Sequence, residues 1–324
     1  MPLTTNDYKL FEQLVSLNQA QLHKLMGNFL KKKYDQVKIT KDYIYAVGDI
    51  PIALVAHLDT VFKFPVSQMY YDPKHNVAFS PDGLGADDRA GVFAVLQILK
   101  TDLRPSIIFT TDEEQGGLGA SALILDHPKC PIPNLKYLIE LDRHGSMDAV
   151  FYDCITADFI NYVEQFGFIE ARGSFSDISF LMSEWDICGV NLSIGYKDEH
   201  TYAETLNFDF LFSTVEKVKK MLQVENIPDF KFEEKLYVFS PSKNANAWKS
   251  LDFSFGVKCA KCQLSYEDYE VIPVKGADGI TKFFCPDCID SISWCSICSE
   301  AYEVTPEGSP TICNDCLEEI EWNK

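Results

Sequence analysis

The sequence is poor in positive charge. Its 324 residues include 29 Lys and Arg against 48 Asp and Glu, which gives a formal net charge of −19. A protein that binds a nucleic-acid backbone displaces counterions with Lys and Arg, and anionic membrane surfaces attract the same residues. The charge therefore argues against nucleic acid and against a membrane as partners.

Long apolar runs are also absent from the sequence. It contains no stretch of 18 apolar residues, and its first residues do not combine a basic start with an apolar segment. A membrane span needs the first pattern and a signal peptide the second. We therefore expect a cytoplasmic protein.

Eight of the eleven cysteines form four CxxC pairs near the C-terminus. In a reducing compartment, such pairs favour zinc over disulfides, and two four-cysteine sites use all eight thiolates. The predicted ligands of these two structural zinc ions are Cys259, Cys262, Cys285, Cys288, Cys295, Cys298, Cys313 and Cys316.

The two halves of this cysteine-rich segment look alike, which suggests tandem treble-clef or ribbon-like fingers. Ligation in sequence order and interleaved ligation both remain open. Residues 259–324 hold 13 Asp or Glu against 4 Lys and no Arg. Since phosphate would be repelled, we expect a protein partner, oligomerisation or capping of the preceding domain rather than nucleic-acid binding.

Apolar strand-like runs alternate with helical periodicity before that segment. Residues 7–33 have helical spacing, residues 37–47 alternate like an edge hairpin, and short apolar runs follow at 52–56, 105–110, 137–141 and 189–194. This alternation predicts an α/β fold with a mixed, mostly parallel sheet sandwiched by helices. The predicted domains are a catalytic domain over 1–227, a linker over 228–257 and a small zinc-binding module over 258–324.

Histidine and carboxylate residues follow the predicted strands where each one ends. His57 closes one apolar run, Glu113 and Glu114 follow the next, and Asp142 follows the third. Sites in parallel sheets form at the carboxyl ends of the strands. Two metal ions about 3.5–4 Å apart can activate a hydroxide and stabilise the developing oxyanion, and a nearby Glu can serve as general base. The pattern therefore predicts a two-metal hydrolase.

Six short segments resemble the zinc exopeptidase superfamily, which includes leucyl aminopeptidases with co-catalytic zinc, peptidase T and the deacylase–carboxypeptidase group. The resemblance covers roughly residues 40–225 and implies a phosphorylase/hydrolase-like fold. The segments are VAHLDT (55–60), GLGADDRAGV (83–92), FTTDEEQGGLGA (109–120), IELDR (139–143), SDISFL (176–181) and DEHTYAETLNFDFL (198–211).

The resemblance also implies residue roles. Glu113 would be the general base, Asp59 would support a histidine ligand, and Asp87 would bridge both metals with a cis peptide bond to Asp88. His144 is the closest competing candidate for a metal ligand, but the resemblance assigns the histidine ligand of the second metal to His200. The implied ligands of the two catalytic ions, zinc first with cobalt or manganese as alternatives, are His57, Asp87, Glu114, Asp142 and His200.

Only 57 residues, 143–199, separate Asp142 from His200. A lid domain, which many deacylases and dipeptidases of the superfamily carry there, does not fit. This favours an aminopeptidase that hydrolyses a terminal amide bond of a peptide. The alternatives are a hydrolase of N-acyl amino acids or other small amides with the same site, and an adaptor whose zinc fingers recruit a protein partner.

Overall fold

The computed structural model describes residues 3–234 and, further along the chain, six short strands. The chain divides into two compact units, Met1–Tyr237 and Val238–Lys324. The eight cysteines of the CxxC pairs lie outside the described residues, so both predicted structural zinc sites lie outside them as well. The three predicted segments and the two boundaries between them stay a prediction.

The first unit holds twelve strands and seven helices in its described residues. The helices are α1 (Thr5–Val15), α2 (Gln19–Leu30), α3 (Ala86–Ile98), α4 (Leu118–Asp126), α5 (Ala157–Glu164), α6 (Asp177–Trp185) and α7 (Phe208–Leu222). The strands are β1 (Gln36–Ile39), β2 (Tyr43–Val47), β3 (Ile50–His57), β4 (Tyr70–Asp72), β5 (Val77–Phe79), β6 (Pro105–Thr110), β7 (Tyr137–Arg143), β8 (Asp148–Val150), β9 (Ile169–Ala171), β10 (Gly189–Ser193), β11 (Tyr196–Lys197) and β12 (Thr205–Asn207).

An eight-stranded sheet forms the centre of this unit, in the order β1-β2-β6-β3-β7-β10-β8-β9. The middle strands β6, β3, β7 and β10 run parallel, whereas β1, β2 and β8 pair antiparallel with their inner neighbours. Every residue of β6 and β10 is buried, as expected for strands covered on both faces. The predicted mixed, mostly parallel α/β sheet is confirmed.

Two separate groups of helices cover the sheet. Helix α3 packs on β3 and β7 together with α1 and α7, whereas α4 and α6 pack on each other and reach β2, β7 and β10. The apolar core runs through both groups, with Phe11, Phe93 and Phe208 in edge-to-face contact at ring-centroid distances of 5.3–6.0 Å. The sheet is therefore sandwiched as predicted.

The helical segment predicted over residues 7–33 is two helices. Helix α1 ends at Val15 and α2 begins at Gln19. Asn18 starts the second helix with a capping box, in which its side chain accepts from the Gln21 N–H while the Gln21 side chain accepts from the Asn18 N–H. This local bonding favours a helix start over a continuous helix. The turn between the helices reaches the functional site described below.

A second, four-stranded sheet in the order β11-β12-β5-β4 is antiparallel throughout. Its strands have two or three residues each, too few for a readable alternation. It matters for function because the loop between β11 and β12 carries His200.

Residues 227–234, the last described residues of the first unit, also pack on its core. The Phe230 ring lies 5.1–6.1 Å from the rings of Phe159, Tyr162 and Tyr137, centroid to centroid, and these four residues form an aromatic cluster. Thr156 Oγ1 accepts from the Glu233 N–H at 3.0 Å. The chain therefore stays attached to the core beyond residue 227.

The described strands of the second unit form three antiparallel pairs. They are β13 (Val257–Lys258) with β14 (Ser265–Tyr266), β15 (Ile272–Lys275) with β16 (Thr281–Phe284), and β17 (Ile292–Trp294) with β18 (Ala301–Glu303).

Among the helices that the structure describes, none combines the length and the apolar character that crossing a bilayer requires.

Candidate metal centre

The candidate site lies at the carboxyl ends of three adjacent parallel strands, β6, β3 and β7. His57 is the last residue of β3, Asp142 lies near the end of β7, and the Glu113–Glu114 pair follows β6. Because the carboxyl ends of parallel strands share one edge of the sheet, residues distant in sequence meet there.

One donor set consists of His57, Asp87 and Asp142. The Nε2 atom of His57 lies 3.0 Å from Asp87 Oδ1 and 3.5 Å from Asp142 Oδ1. The side chains of all three residues are at least nine-tenths buried. Imidazole nitrogen and carboxylate oxygen are the ligand atoms that zinc and similar cations prefer, so this set can hold one divalent ion.

A second donor set consists of Asp87, Glu114 and His200. The Nε2 atom of His200 lies 3.1 Å from Asp87 Oδ2 and 3.1 Å from Glu114 Oε2. Asp87 therefore belongs to both sets, with Oδ1 toward His57 and Oδ2 toward His200. A shared carboxylate of this kind can bridge two cations. The His200 side chain is 52% exposed, so the second set faces the opening of the site.

A third donor set of His57, Glu113 and Glu114 overlaps with the other two. Glu113 Oε2 lies 4.0 Å from His57 Nε2. The Glu113 carboxyl group, the predicted general base, thus lies close to both of the other donor sets. The geometry by itself allows Glu113 to act on water or to contact a metal, and an experiment below separates these roles.

Asp59 connects the His57 side chain to the turn that carries the two glutamates. Its Oδ1 lies 3.1 Å from His57 Nδ1 and accepts from the Glu113 N–H at 3.0 Å, while Oδ2 accepts from the Glu114 N–H at 3.0 Å. Metal-binding histidines commonly have such a carboxylate on the other ring nitrogen, where it orients the ring. One side chain therefore orients three functional residues.

The Asp87 turn depends on a residue that the sequence analysis did not single out. Glu204 is fully buried, and its carboxylate accepts from the Gly85 N–H at 2.6 Å and from the Asp87 N–H at 3.0 Å. Gly85 has a left-handed φ of 62°, which favours glycine. The peptide bond between Asp87 and Asp88 is cis.

Asp142 is held by three further residues that the sequence analysis did not identify. Ser176 Oγ donates to Asp142 Oδ2 at 3.0 Å and Tyr196 Oη donates to Oδ1 at 3.1 Å. The Asn191 side chain accepts from the Asp142 N–H at 3.0 Å and donates to its carbonyl oxygen at 3.1 Å. Ser176 opens the SDISFL segment, to which no role was assigned, and no pattern marks Asn191 or Tyr196, which lie 49 and 54 positions away from Asp142.

His144, the competing ligand candidate, points elsewhere. Its Nδ1 lies 2.5 Å from Glu199 Oε1, and it belongs to none of the three donor sets found among the described residues. The structure thus brings His57, Asp59, Asp87, Glu113, Glu114, Asp142 and His200 together and leaves His144 outside. The roles assigned to these residues stay predictions.

Negative charge is crowded at this site. Burial and the Asp87 carboxylate raise the pKa of Asp142 to about 7, and burial, with repulsion from Asp142 in addition, raises the pKa of Glu113 to about 9. Hydrogen bonds to Asp87 and Glu114 raise the pKa of His200 to about 11. Buried carboxylates that repel one another are stabilised by nearby positive charge, which a divalent cation supplies.

The residues present fit a pair of divalent cations. Glu114 Oε1 is buried and has no hydrogen-bond partner within the described part of the chain. A buried, unpartnered carboxylate oxygen is costly, and metal coordination would satisfy it. The mixture of imidazole and carboxylate donors suits zinc, and also cobalt or manganese.

Comparison with known proteins agrees with this geometry. The model of Peptidase family M28 matches residues 44–164, a range that includes every site residue named above except His200 and the supporting residues beyond position 164. No curated protein sequence matches the chain.

Solved structures with the same fold include three peptidases. A tripeptidase from Staphylococcus aureus subsp. aureus Mu50 has a TM-score of 0.56 at 14% identity, over 67% of this chain and 97% of its own. A TET aminopeptidase from the marine sediment archaeon Thaumarchaeota archaeon SCGC AB-539-E09 has 0.53 at 12%, over 69% and 98%. Aminopeptidase PepT from Bacillus cereus ATCC 10987 has 0.52 at 15%, over 66% and 96%. The family match thus covers six of the seven predicted site residues, and the chain shares its fold with these three peptidases.

Proposed function

We propose that the chain is a metal-dependent exopeptidase of the aminopeptidase type, which hydrolyses a terminal amide bond of a peptide. The observation that carries this proposal is the arrangement of two donor sets around one shared carboxylate, Asp87, with Glu113 beside both. A single-metal site would not need the shared residue, and a purely structural site would not need an additional acid beside its ligands.

Five residues would hold the two cations. His57 and Asp142 would bind one, Glu114 and His200 the other, and Asp87 both. When bound, the two ions supply Lewis acidity that polarises the amide carbonyl and stabilises negative charge on it. Zinc is the proposed metal, with cobalt or manganese as alternatives.

Glu113 is the proposed general base. It accepts a proton from the attacking water and later donates it to the leaving amine, which is the role of a carboxyl group close to the reacting atoms. Its Oε2 atom lies 4.0 Å from His57 Nε2, so the carboxyl group is close enough to the donor sets to carry the proton between the two steps. Its backbone N–H is fixed by Asp59 at 3.0 Å, which limits rotation of the turn.

Asp59 acts through the residues that it orients. Its contact with His57 Nδ1 directs Nε2 toward Asp87 and Asp142, while its bonds to two successive N–H groups fix the Glu113–Glu114 turn. Glu113 therefore transfers the proton, and Asp59 orients the residues around it.

Three further predictions from the sequence belong to this proposal. The four CxxC pairs would bind two structural zinc ions, the module that they stabilise would contact a protein partner, and the protein would reside in the cytoplasm. A full metal load would then be four ions per chain, two at the candidate centre and two in the cysteine-rich segment.

The substitution Glu113→Gln tests the proposal. Zinc-loaded full-length protein is offered aminoacyl amides, short peptides and N-acyl amino acids, and its metal content is measured by mass spectrometry. We expect the wild type to release N-terminal residues and Glu113→Gln to lose kcat by several orders of magnitude while keeping its metal content. Glu164→Gln, on the exposed side of α5, is the control and should match the wild type.

Two results would contradict the proposal. Loss of metal from Glu113→Gln would make Glu113 a ligand and reverse the assigned roles. Absence of amide hydrolysis by metal-loaded wild type would remove the enzymatic function itself.

A further inference from the structure

We propose that His144 is a positioning residue of the metal centre, whose bond to Glu199 holds the loop that aims His200 at the second cation. The loop, called the His200 loop below, comprises residues 198–204 between β11 and β12. This inference rests on the proposed two-metal function and adds to it a residue that acts on one of the two ions only. Its basis is the placement, backbone conformation and bonding of the His200 loop.

The histidine ligands of the two donor sets are held by different kinds of backbone. His57 is the last residue of β3, and Asp142, its neighbour in the first set, lies near the end of β7, so the central sheet fixes both. His200 lies instead in a loop between strands of two and three residues, and its side chain is 52% exposed. The orientation of His200 therefore depends on the bonds that fix this loop.

The backbone on both sides of Glu199 is in an unfavourable conformation. Asp198 has a φ of 58° and His200 a φ of 61°. Residues other than glycine rarely adopt this left-handed region, and they keep it where surrounding contacts hold them there. Because the His200 loop contains no glycine, its conformation needs bonds to neighbouring elements.

Glu199 supplies such a bond. Its Oε1 lies 2.5 Å from His144 Nδ1, and the two side chains are 29% and 38% exposed. Apart from the contacts of His200 itself, the described residues hold no other hydrogen bond or ion pair between a side chain of residues 198–203 and the rest of the chain. The part of the loop next to His200 therefore depends on His144.

The far end of the loop has an attachment of its own. The Glu204 carboxylate accepts from the N–H groups of Gly85 and Asp87, which fixes the Asp87 turn and the end of the loop. This attachment lies four residues after His200 and does not involve His144. Loss of the His144 bond should therefore loosen the His200 side chain and leave the shared carboxylate in place.

His144 is a firm anchor because the backbone around it is fixed. It directly follows β7, and its carbonyl oxygen accepts from Ser193 Oγ at 2.6 Å. The next residue, Gly145, donates its N–H to the Tyr196 carbonyl oxygen at 2.9 Å. The end of β7 thus carries Asp142, a proposed ligand of the first ion, and two residues later the residue that positions a ligand of the second.

Zinc binding by full-length variants, in competition with a chelator of known affinity, tests this role. The cysteine-rich segment is the same in every variant, so its zinc cancels when binding curves are compared. His200→Ala removes the proposed ligand and thereby identifies the second ion. We expect His144→Ala to weaken this same ion about tenfold, as is typical when a residue that orients a ligand is removed, and to have no further effect in the His200→Ala background.

Two further measurements separate positioning from a general structural role. In His144→Asn, an amide N–H replaces the Nδ1–H as donor to Glu199, so this variant should recover most of the zinc affinity that His144→Ala loses. The metal-free forms of both variants should unfold thermally like wild type, since partly exposed ion pairs contribute little to stability. Peptidase activity of His144→Ala should fall at limiting zinc and return at saturating zinc, because Glu113 and Asp59 are unchanged.

Two matched controls are available on the same chain. His75→Ala breaks a comparable pair, in which His75 Nδ1 lies 2.5 Å from Asp72 Oδ2, in the turn between β4 and β5. Asp102→Asn removes an exposed carboxylate from the loop between α3 and β6. Both should bind zinc as the wild type does.

Wild-type zinc affinity in His144→Ala, equal weakening of two ions, or a loss that His144→Asn does not recover would overturn the inference. An undiminished effect of His144→Ala in the His200→Ala background would overturn it as well. If His200→Ala loses no ion, the proposed metal centre fails and this inference fails with it. A wild type that binds both ions but hydrolyses no amide would contradict the peptidase function alone.

Discussion

Replacing Asp59 by asparagine is the sharpest perturbation of the metal centre that preserves its shape. The substitution is isosteric, but only one side-chain oxygen remains to accept hydrogen bonds. In the wild type, Oδ1 contacts His57 Nδ1 at 3.1 Å and the Glu113 N–H at 3.0 Å, whereas Oδ2 accepts from the Glu114 N–H at 3.0 Å. Asparagine can satisfy one side of this arrangement only.

The free-energy cost of Asp59→Asn depends on how the asparagine amide is oriented. If the amide oxygen takes the place of Oδ1, the amide NH2 meets the Glu114 N–H, and two donors face each other. One hydrogen bond to a charged acceptor is then lost, worth about 1.5–3 kcal/mol, and a nearly buried N–H is left without a partner. In the opposite orientation His57 and Glu113 lose their acceptor. Either orientation misplaces a proposed ligand, for which a loss of about 10–100-fold in metal affinity is typical.

Competition with a chelator measures this effect. Wild type, Asp59→Asn and the control Asp102→Asn are titrated with zinc in the presence of a chelator of known affinity, and aminopeptidase activity is followed in parallel. We expect Asp59→Asn to bind metal at least tenfold more weakly at the candidate centre and to lose activity even at saturating zinc, because Glu113 is no longer fixed. Wild-type affinity together with wild-type activity in Asp59→Asn would refute the assigned role of this carboxylate.

Two predictions concern stability rather than catalysis. Burial raises the pKa of Asp7, but hydrogen bonds from Lys100, Thr4 and Gln97 outweigh burial and hold this pKa below its usual value. The Asp7 carboxylate therefore stabilises the folded state at any pH above its unfolded-state pKa of about 3.9. This contribution is lost as the pH falls through the folded-state pKa. Asp7→Asn should therefore lower the free energy of unfolding by about 1–2 kcal/mol at pH 7, with a difference from wild type that shrinks toward pH 3 in urea titrations; a difference independent of pH would contradict this. Phe230→Ala should destabilise the first unit by about 2 kcal/mol, since its ring completes the aromatic cluster, and unchanged thermal unfolding would show that residues beyond 227 contribute nothing to the core.

Long apolar runs made the central strands predictable. β3 and β6 are buried over most or all of their length, so each contains a continuous apolar run, IALVA in β3 and IIF in β6. The residues that follow such runs come together at one edge of the sheet because the strands are parallel. For this reason His57, Glu113 and Asp142 could be placed before the structure was known.

Shorter elements were not predictable in the same way. Strands such as β4, β5 and β12 have three residues each, and a period of two cannot be recognised over that length. The break between α1 and α2 was missed although the Asn18–Gln21 capping box is visible in the sequence, because the helical spacing of leucines continues across it. The capping box, rather than the spacing of the leucines, marks that boundary.

The supporting residues of the site depend on tertiary contacts. Glu204 bonds to the Asp87 N–H across 117 positions, and Tyr196 bonds to Asp142 across 54. A glutamate four residues after His200 has no distinguishing pattern in a chain with 48 acidic residues. The proposed metal ligands therefore follow from the sequence, whereas the residues that position them follow from tertiary contacts.

Anomalous diffraction from zinc-soaked crystals tests the central claim most directly. The account predicts two neighbouring anomalous peaks within the first unit, one in contact with His57 and Asp142, the other with Glu114 and His200, and Asp87 touching both. A single peak, two peaks without a shared Asp87, or no peak among these five side chains would contradict it.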